Sequence, residues 1–272
     1  MTTWRDLLRQ GQDKLELEDA QREISLFIRH ITGSELVDWN ENVSETQRSQ
    51  FQAFVEDRAK GRPLSKIISQ RAFWKEKFII SDDVLDPRPD SELLVEAALR
   101  LPNISTILEL GVGSGAVLLS ILAERPKAIG TGADNSPQAI EIAKENYQAL
   151  KLSNKINWIE SDWFSNVKGT FDIIICNPPY LSSAEYDARP QELDWDPKNA
   201  LTDNADGLSA YRQIAKSVSE YLNEDGIVLL EIGWQQANDV TSIFEAEGFS
   251  EIEVLKDIND KDRVVRIEQR SQ

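Results

Sequence analysis

STILELGVGSGAVLLSILAERPKAIGTGAD, residues 105–134, reads as strand, glycine turn, helix, strand. STILEL is a short apolar strand, SGAVLLSILAER is helical, and KAIGTGAD is a second strand. Between the first strand and the helix, Gly111, Gly113 and Gly115 permit a tight turn and close approach of a ligand to the backbone. The helix start that follows offers free N–H groups. The same alternation continues on both sides. SELLVEAALRL precedes it as a helix, and SPQAIEIAKENYQALK follows as a helix with Pro137 in its first turn. INWIES, FDIIICN and GIVLLEIG read as three further buried strands, with YRQIAKSVSEYL and QQANDVTSIFEAEG as helices and EIEVLKD and RVVRIEQ as a terminal antiparallel pair. Strands separated by such helices imply a doubly wound α/β domain over 91–272, with a mostly parallel sheet and helices on both faces. Ligands in such sheets bind beyond the carboxyl ends of the strands.

Upstream, residues 1–75 read as a small helical domain. TTWRDLLRQGQDKL has helical spacing interrupted by Gly11. EDAQREISLFIRHITG stops near Gly33. SETQRSQFQAFVEDRAKG opens with a capping box, Ser44 and Gln47, and closes at Gly61. Residues 76–90 form a hairpin or extended linker, in which the two prolines of DPRPD exclude a helix interior.

Composition narrows the chemistry. His30 is the single histidine and Cys176 the single cysteine of 272 residues, so a histidine-centred triad, a histidine zinc cluster and an intrachain disulfide all lack their parts. No metal is expected. Formal net charge is -17, a field that repels phosphate backbones, and free nucleic acid is not expected as a partner whereas a basic protein is. The N-terminus has no basic-then-apolar signal and no apolar run is long enough to span a bilayer, so a cytoplasmic protein without a membrane partner is expected. The sequence does not fix the oligomeric state, for which a monomer is the expectation.

Two sites stand out. The first is the glycine turn with Glu109 just ahead of it. A carboxylate there sits badly beside a pyrophosphate but well beside the positive amino-acid end of S-adenosylmethionine. Asp134, at the end of the next strand, can accept from both ribose hydroxyls, although a cap or turn role is open to it. Asp162 can accept from an adenine amino group, and Trp163 can pack on the base or in the core. The second site is N-P-P-Y, Asn177 to Tyr180, directly after the strand FDIIIC. The Asn177 oxygen and the Pro178 carbonyl can take the two hydrogens of a planar NH₂ group, with Pro179 fixing the chain and Tyr180 against the plane. An amide or exocyclic amino group fits such a clamp. Residues 181–206 form a long polar connection in which Glu192, Asp194 and Asp196 offer a docking surface to a basic acceptor.

With DPRPDSE (86–92), ELGVGSG (109–115), SDWF (161–164), CNPPYL (176–181), DPKNAL (196–201), EIGWQQ (231–236) and DRV (262–264) in one chain behind a helical bundle, the sequence resembles the release factor glutamine methyltransferases. The resemblance implies a class I S-adenosylmethionine-dependent methyltransferase sheet. It implies transfer of a methyl group to N5 of the glutamine in the Gly-Gly-Gln motif of class I peptide chain release factors. Asn177 would then also adjoin the cofactor, and Arg88 and Pro89 would help shape the glutamine slot. Lys66, Ser69, Asp86 and Ser91 depart from the family pattern. N-P-P-Y alone also suits an amino-methyltransferase acting on RNA, DNA or another protein amide. A nicotinamide-dependent dehydrogenase would leave it idle, and a non-catalytic scaffold would not need it.

Overall fold

A computed structural model describes residues 2–15 and 17–269. Contacts divide the chain into two compact units, Met1–Gln70 with Pro190–Trp195, and Arg71–Arg189 with Asp196–Gln272. The expected boundary at 75/76 falls later than this division at 70/71, which lies within the first strand of the hairpin.

The smaller unit contains α1 (Trp4–Lys14), α2 (Ala20–Thr32), α3 (Glu45–Ala59) and the short α4 (Leu64–Ile68). Capping boxes start α1 at Thr3 and Asp6 and α3 at Ser44 and Gln47. Gly33 ends α2 in the left-handed conformation. Gly11 does not interrupt α1, contrary to the spacing. It is the point of close packing, where an added Cβ would stand 2.8 Å from Ile24 Cδ1 and 3.1 Å from Phe51 Cζ. Trp4, Leu7, Ile24, Ile28, Phe51 and Val55 form the core of this unit. Glu192, expected on an open docking loop, lies in the 3₁₀ turn Gln191–Trp195, 3.5 Å from the Arg58 guanidinium that also pairs with Glu23.

The larger unit opens with the hairpin β1 (Gln70–Phe73) and β2 (Glu76–Ile79), turned at Trp74 with φ 54°. Then follow α5 (Glu92–Arg100), β3 (Thr106–Leu110), α6 (Ala116–Glu124), β4 (Ile129–Asp134), α7 (Pro137–Ala149), β5 (Ile156–Glu160) and β6 (Phe171–Cys176). The connection after β6 is less irregular than its composition suggests, since it holds α8 (Ser183–Asp187) and α9 (Lys198–Leu201). The chain closes with α10 (Ser209–Ser217), β7 (Leu222–Glu231), α11 (Ala237–Ala246), β8 (Glu251–Lys256) and β9 (Asp262–Glu268).

Seven strands make one sheet in the order β5-β4-β3-β6-β7-β9-β8. β3 to β7 are parallel and β9 is antiparallel to both neighbours. The apolar runs ILEL, DIIIC and IVLL are buried because helices cover both faces, with Leu118, Leu119 and Leu122 on one side and Tyr211, Ile214 and Val240 on the other. From β3 the chain winds outward through β4 and β5, then returns to β6 on the other flank. The order therefore reverses between β3 and β6, which fixes the crevice at their carboxyl ends.

Candidate active site

Register puts Leu110 of β3 level with Cys176 of β6, and Cys176 level with Leu230 of β7. The next residue of each strand, Gly111, Asn177 and Glu231, therefore falls in one row along the carboxyl edge of the sheet. A cleft with about 1070 Å³ of empty space, open mouth included, lies over this edge. That is room for a nucleoside-sized ligand with a side chain beside it.

The cleft brings together most of the residues singled out from the sequence. Glu109, Gly111, Gly113, Asp134, Asp162, Trp163, Asn177, Pro178 and Pro179 all line it. Gly115 does not; it opens α6 with φ 79° and packs under the turn, 3.0 Å from Leu119 at an added Cβ. Tyr180 is also not among the lining residues and packs on the core behind. Nor are Arg88 and Pro89, whereas Pro87 is. Arg88 is spent on Asp196, whose Oδ2 it reaches at 2.5 Å, while Asp196 Oδ1 accepts from the Asp86 backbone at 3.0 Å. Asp196 is therefore a buried clasp and not a docking carboxylate as its sequence suggests. The clasp uses only the backbone of Asp86; its buried carboxylate instead lies 3.5 Å from the Arg71 guanidinium.

Three carboxyl groups stand along this edge, Glu109 and Glu231 buried and Asp134 half-buried. Glu109 accepts from the Leu118 backbone N–H at 2.9 Å, in the first turn of α6. Burial, with Asp134 nearby, pushes its carboxyl well above the usual range against that one bond. Asp134 accepts from Gly113 N and Ser136 N, each at 2.9 Å, so it braces the glycine turn and the start of α7. Burial nonetheless raises its pKa. Glu231 is raised to about 7, first by burial and then by Asp90, against the Ser91 hydrogen bond, Arg263 and Tyr180.

This donor set suits S-adenosylmethionine. An added Cβ at Gly111 would meet nothing within 4 Å, so the turn faces open space, and φ 68° there favours glycine. Burial raises Glu109 and Asp134 on the cleft, so a cationic ligand such as the cofactor's ammonium would favour their charged forms. Among the described residues no group of three or more His, Cys, Asp or Glu side chains is arranged to hold a metal ion, and no helix is long and apolar enough to cross a membrane.

Several residues that shape the site carry no local sequence signal. Ser91 joins Glu231 to Asn177. Gln236 donates to the Tyr180 carbonyl at 2.9 Å and accepts from Gly233 N at 2.9 Å, so it pins the N-P-P-Y segment to the turn after β7. Asn146, fully buried in α7, donates to Ser114 O and Ile79 O at 2.9 Å each and so ties the glycine turn to β2. EIGWQQ carries a signal only through the family resemblance, and the one local signal of Asn146 is a polar residue on the inward face of α7.

The sheet order and the glycine-lined cleft define a class I S-adenosylmethionine-dependent methyltransferase. Solved methyltransferases share the fold. One from Pyrococcus furiosus superposes with a TM-score of 0.53 at 17% identity over 69% of this chain and 86% of its own. The hMettl16 catalytic domain, in complex with an RNA hairpin, does so with a TM-score of 0.59 at 11% identity over 89% and 91%. The methyltransferase small domain family matches residues 70–205, and the PrmC N-terminal domain family matches residues 6–68. A release factor glutamine methyltransferase of Cereibacter sphaeroides is 41% identical over 80% of this chain and 78% of its own, and one of Rhodospirillum rubrum is 36% identical over 97% and 85%. The chain belongs to the release factor glutamine methyltransferase family.

Proposed function

We propose that this protein methylates N5 of the glutamine in the Gly-Gly-Gln motif of class I peptide chain release factors, with S-adenosylmethionine as methyl donor. The single observation that carries the chemistry is the placement of Asn177 and Pro178 at the end of β6, beside the glycine turn at the end of β3, on one cleft. The acceptor itself comes from the named relatives, which match 80% and 97% of the chain.

The bound cofactor supplies an activated methyl group on a sulfonium sulfur. The residues of the chain do the rest. Gly111 and Gly113 give the cofactor close access to the backbone. Glu109 would hold its ammonium and Asp134 its ribose, with Asp162 and Trp163 available to the base. Asn177 Oδ1 and the Pro178 carbonyl accept the two N–H hydrogens of the glutamine amide. That holds the amide plane still and raises electron density on a nitrogen whose lone pair is otherwise delocalised. Alignment supplies much of the rate gain, and no group with a pKa near neutrality has to take a proton in the transfer step. Pro179 stiffens the clamp, Tyr180 supports it from behind, and Arg88, set back from the cleft, anchors the chain beside Pro87 through Asp196.

The test is fragment-mass analysis of purified release factor after incubation with this protein and S-adenosylmethionine. One added methyl mapped to the Gly-Gly-Gln glutamine, and absent with Asn177→Ala, is expected. An unmodified release factor under conditions where the cofactor binds would refute the acceptor.

A further inference from the structure

We propose that Ser91 and Glu231 are positioning residues that fix which end of the Asn177 carboxamide faces the substrate. The proposal rests on the assignment of Asn177 as the amide clamp and deepens it.

A carboxamide can present either its oxygen or its NH₂ to the cleft, and the two ends have nearly the same shape. Only the oxygen can accept from a substrate amide; the NH₂ end would meet the substrate N–H hydrogens donor to donor. Something outside Asn177 must therefore choose. Its Nδ2 lies 3.1 Å from Ser91 Oγ, and Ser91 Oγ lies 2.6 Å from Glu231 Oε2. A hydroxyl has one proton. An ionised carboxylate can only accept, so the Ser91 proton is committed to Glu231. Toward Asn177 the hydroxyl is then left with lone pairs alone and accepts from Nδ2. The carboxamide oxygen is thereby turned away from Ser91, toward the cleft that Asn177 lines. The direction of the chain follows from donor counting and begins at the charge on Glu231.

The surroundings of Glu231 keep that charge available. It sits at the end of β7, 1% exposed. Arg263 from β9 and Tyr180 from the segment after β6 favour its ionised form, while Asp90, ahead of α5, and burial oppose it. Tyr211 of α10 donates to the Glu231 backbone carbonyl at 2.8 Å and so fixes the strand end without touching the carboxylate. With its pKa at about 7, Glu231 is ionised above that pH and holds the relay in one direction. Below it, a protonated Glu231 can donate to Ser91, the hydroxyl proton is released from its commitment, and the Asn177 amide is free to turn.

The test uses the full chain, S-adenosylmethionine and a purified release factor. For Ser91→Ala, kcat is expected to fall about tenfold to a hundredfold, the scale for a misaligned reacting group. Cofactor affinity by calorimetry should hold, which also reports that the variant is folded. Ser91→Thr, which keeps the hydroxyl, should restore kcat. At saturating cofactor the wild-type kcat should fall as pH drops through about 7, and Glu231→Gln, which has nothing to titrate there, should lose that limb. A wild-type kcat in Ser91→Ala while Asn177→Ala is inactive would overturn the relay and leave the clamp standing. An unchanged acid limb in Glu231→Gln would overturn it too, even if Ser91→Ala failed to fold. Full activity in Asn177→Ala would bring down clamp and relay together.

Discussion

The two ends of the same sheet treat carboxylates in opposite ways. At the amino end, Asp172 of β6 accepts from Ser105 N and Thr106 N at 2.8 Å each and from Asn223 Nδ2 at 2.6 Å. One side chain thus ties the starts of β3 and β7 to its own strand. Burial would raise its pKa, but these donors win and hold it below the usual range. At the carboxyl end, Glu109 and Asp134 line the cleft, keep fewer donors and are raised by burial. A satisfied carboxylate stabilises the fold, whereas a desolvated one with too few partners is held in readiness for a ligand. The same strands serve as staple at one end and as active site at the other.

The largest expected effect breaks the comparison at its functional end. Asn177→Ala should lower methyl transfer by a factor on the order of a hundred to a thousand, with the melting temperature unchanged, as loss of one preorganised oxygen acceptor implies. Radiometric transfer and calorimetric melting measured on one preparation check both halves. Glu109→Gln comes next. It should weaken S-adenosylmethionine by about tenfold, since a charged hydrogen bond is worth about 1.5–3 kcal/mol. The folded pKa of Glu109 is raised, so its ionisation opposes folding at neutral pH, and neutralising it should leave stability equal or higher. By the same sign, the cofactor cation should pull a proton off Glu109, so affinity should rise with pH and binding should release protons to buffer. Titration calorimetry in two buffers of different ionisation enthalpy reads this, and a proton count of zero would break the comparison.

Asp172→Ala should do the reverse, costing about 2 kcal/mol of stability with cofactor affinity kept. The smallest effect sharpens the same point. Because the Asp172 pKa is lowered on folding, its contribution is present above the unfolded value and lost as pH falls through the folded one. The stability gap between wild type and Asp172→Asn should therefore close in acid, as denaturant midpoints at several pH values would register.

How much of this was legible depends on the range over which residues act. The strands β3, β4, β6 and β7 announce themselves as apolar runs, and Gly111, Gly113 and Asn177 sit directly at their ends, so motif and place are read together. The staple and the relay are not local. Ser91 and Glu231 are 140 positions apart, and Asp172 acts on partners 66 and 51 positions away. Only the closed sheet brings them together. Asp196 shows the opposite error: among acids in a polar loop it reads as solvated, yet Arg88 and the Asp86 backbone bury it. Ser69 adopts φ 53° at the end of α4, the region glycine enters without strain.

The most direct measurement is a crystal structure of the protein with S-adenosylhomocysteine and a release factor bearing its Gly-Gly-Gln loop. The account predicts the glutamine Nε2 within about 2.7–3.2 Å of both Asn177 Oδ1 and the Pro178 carbonyl. A glutamine held elsewhere, or facing the Asn177 nitrogen, would contradict it.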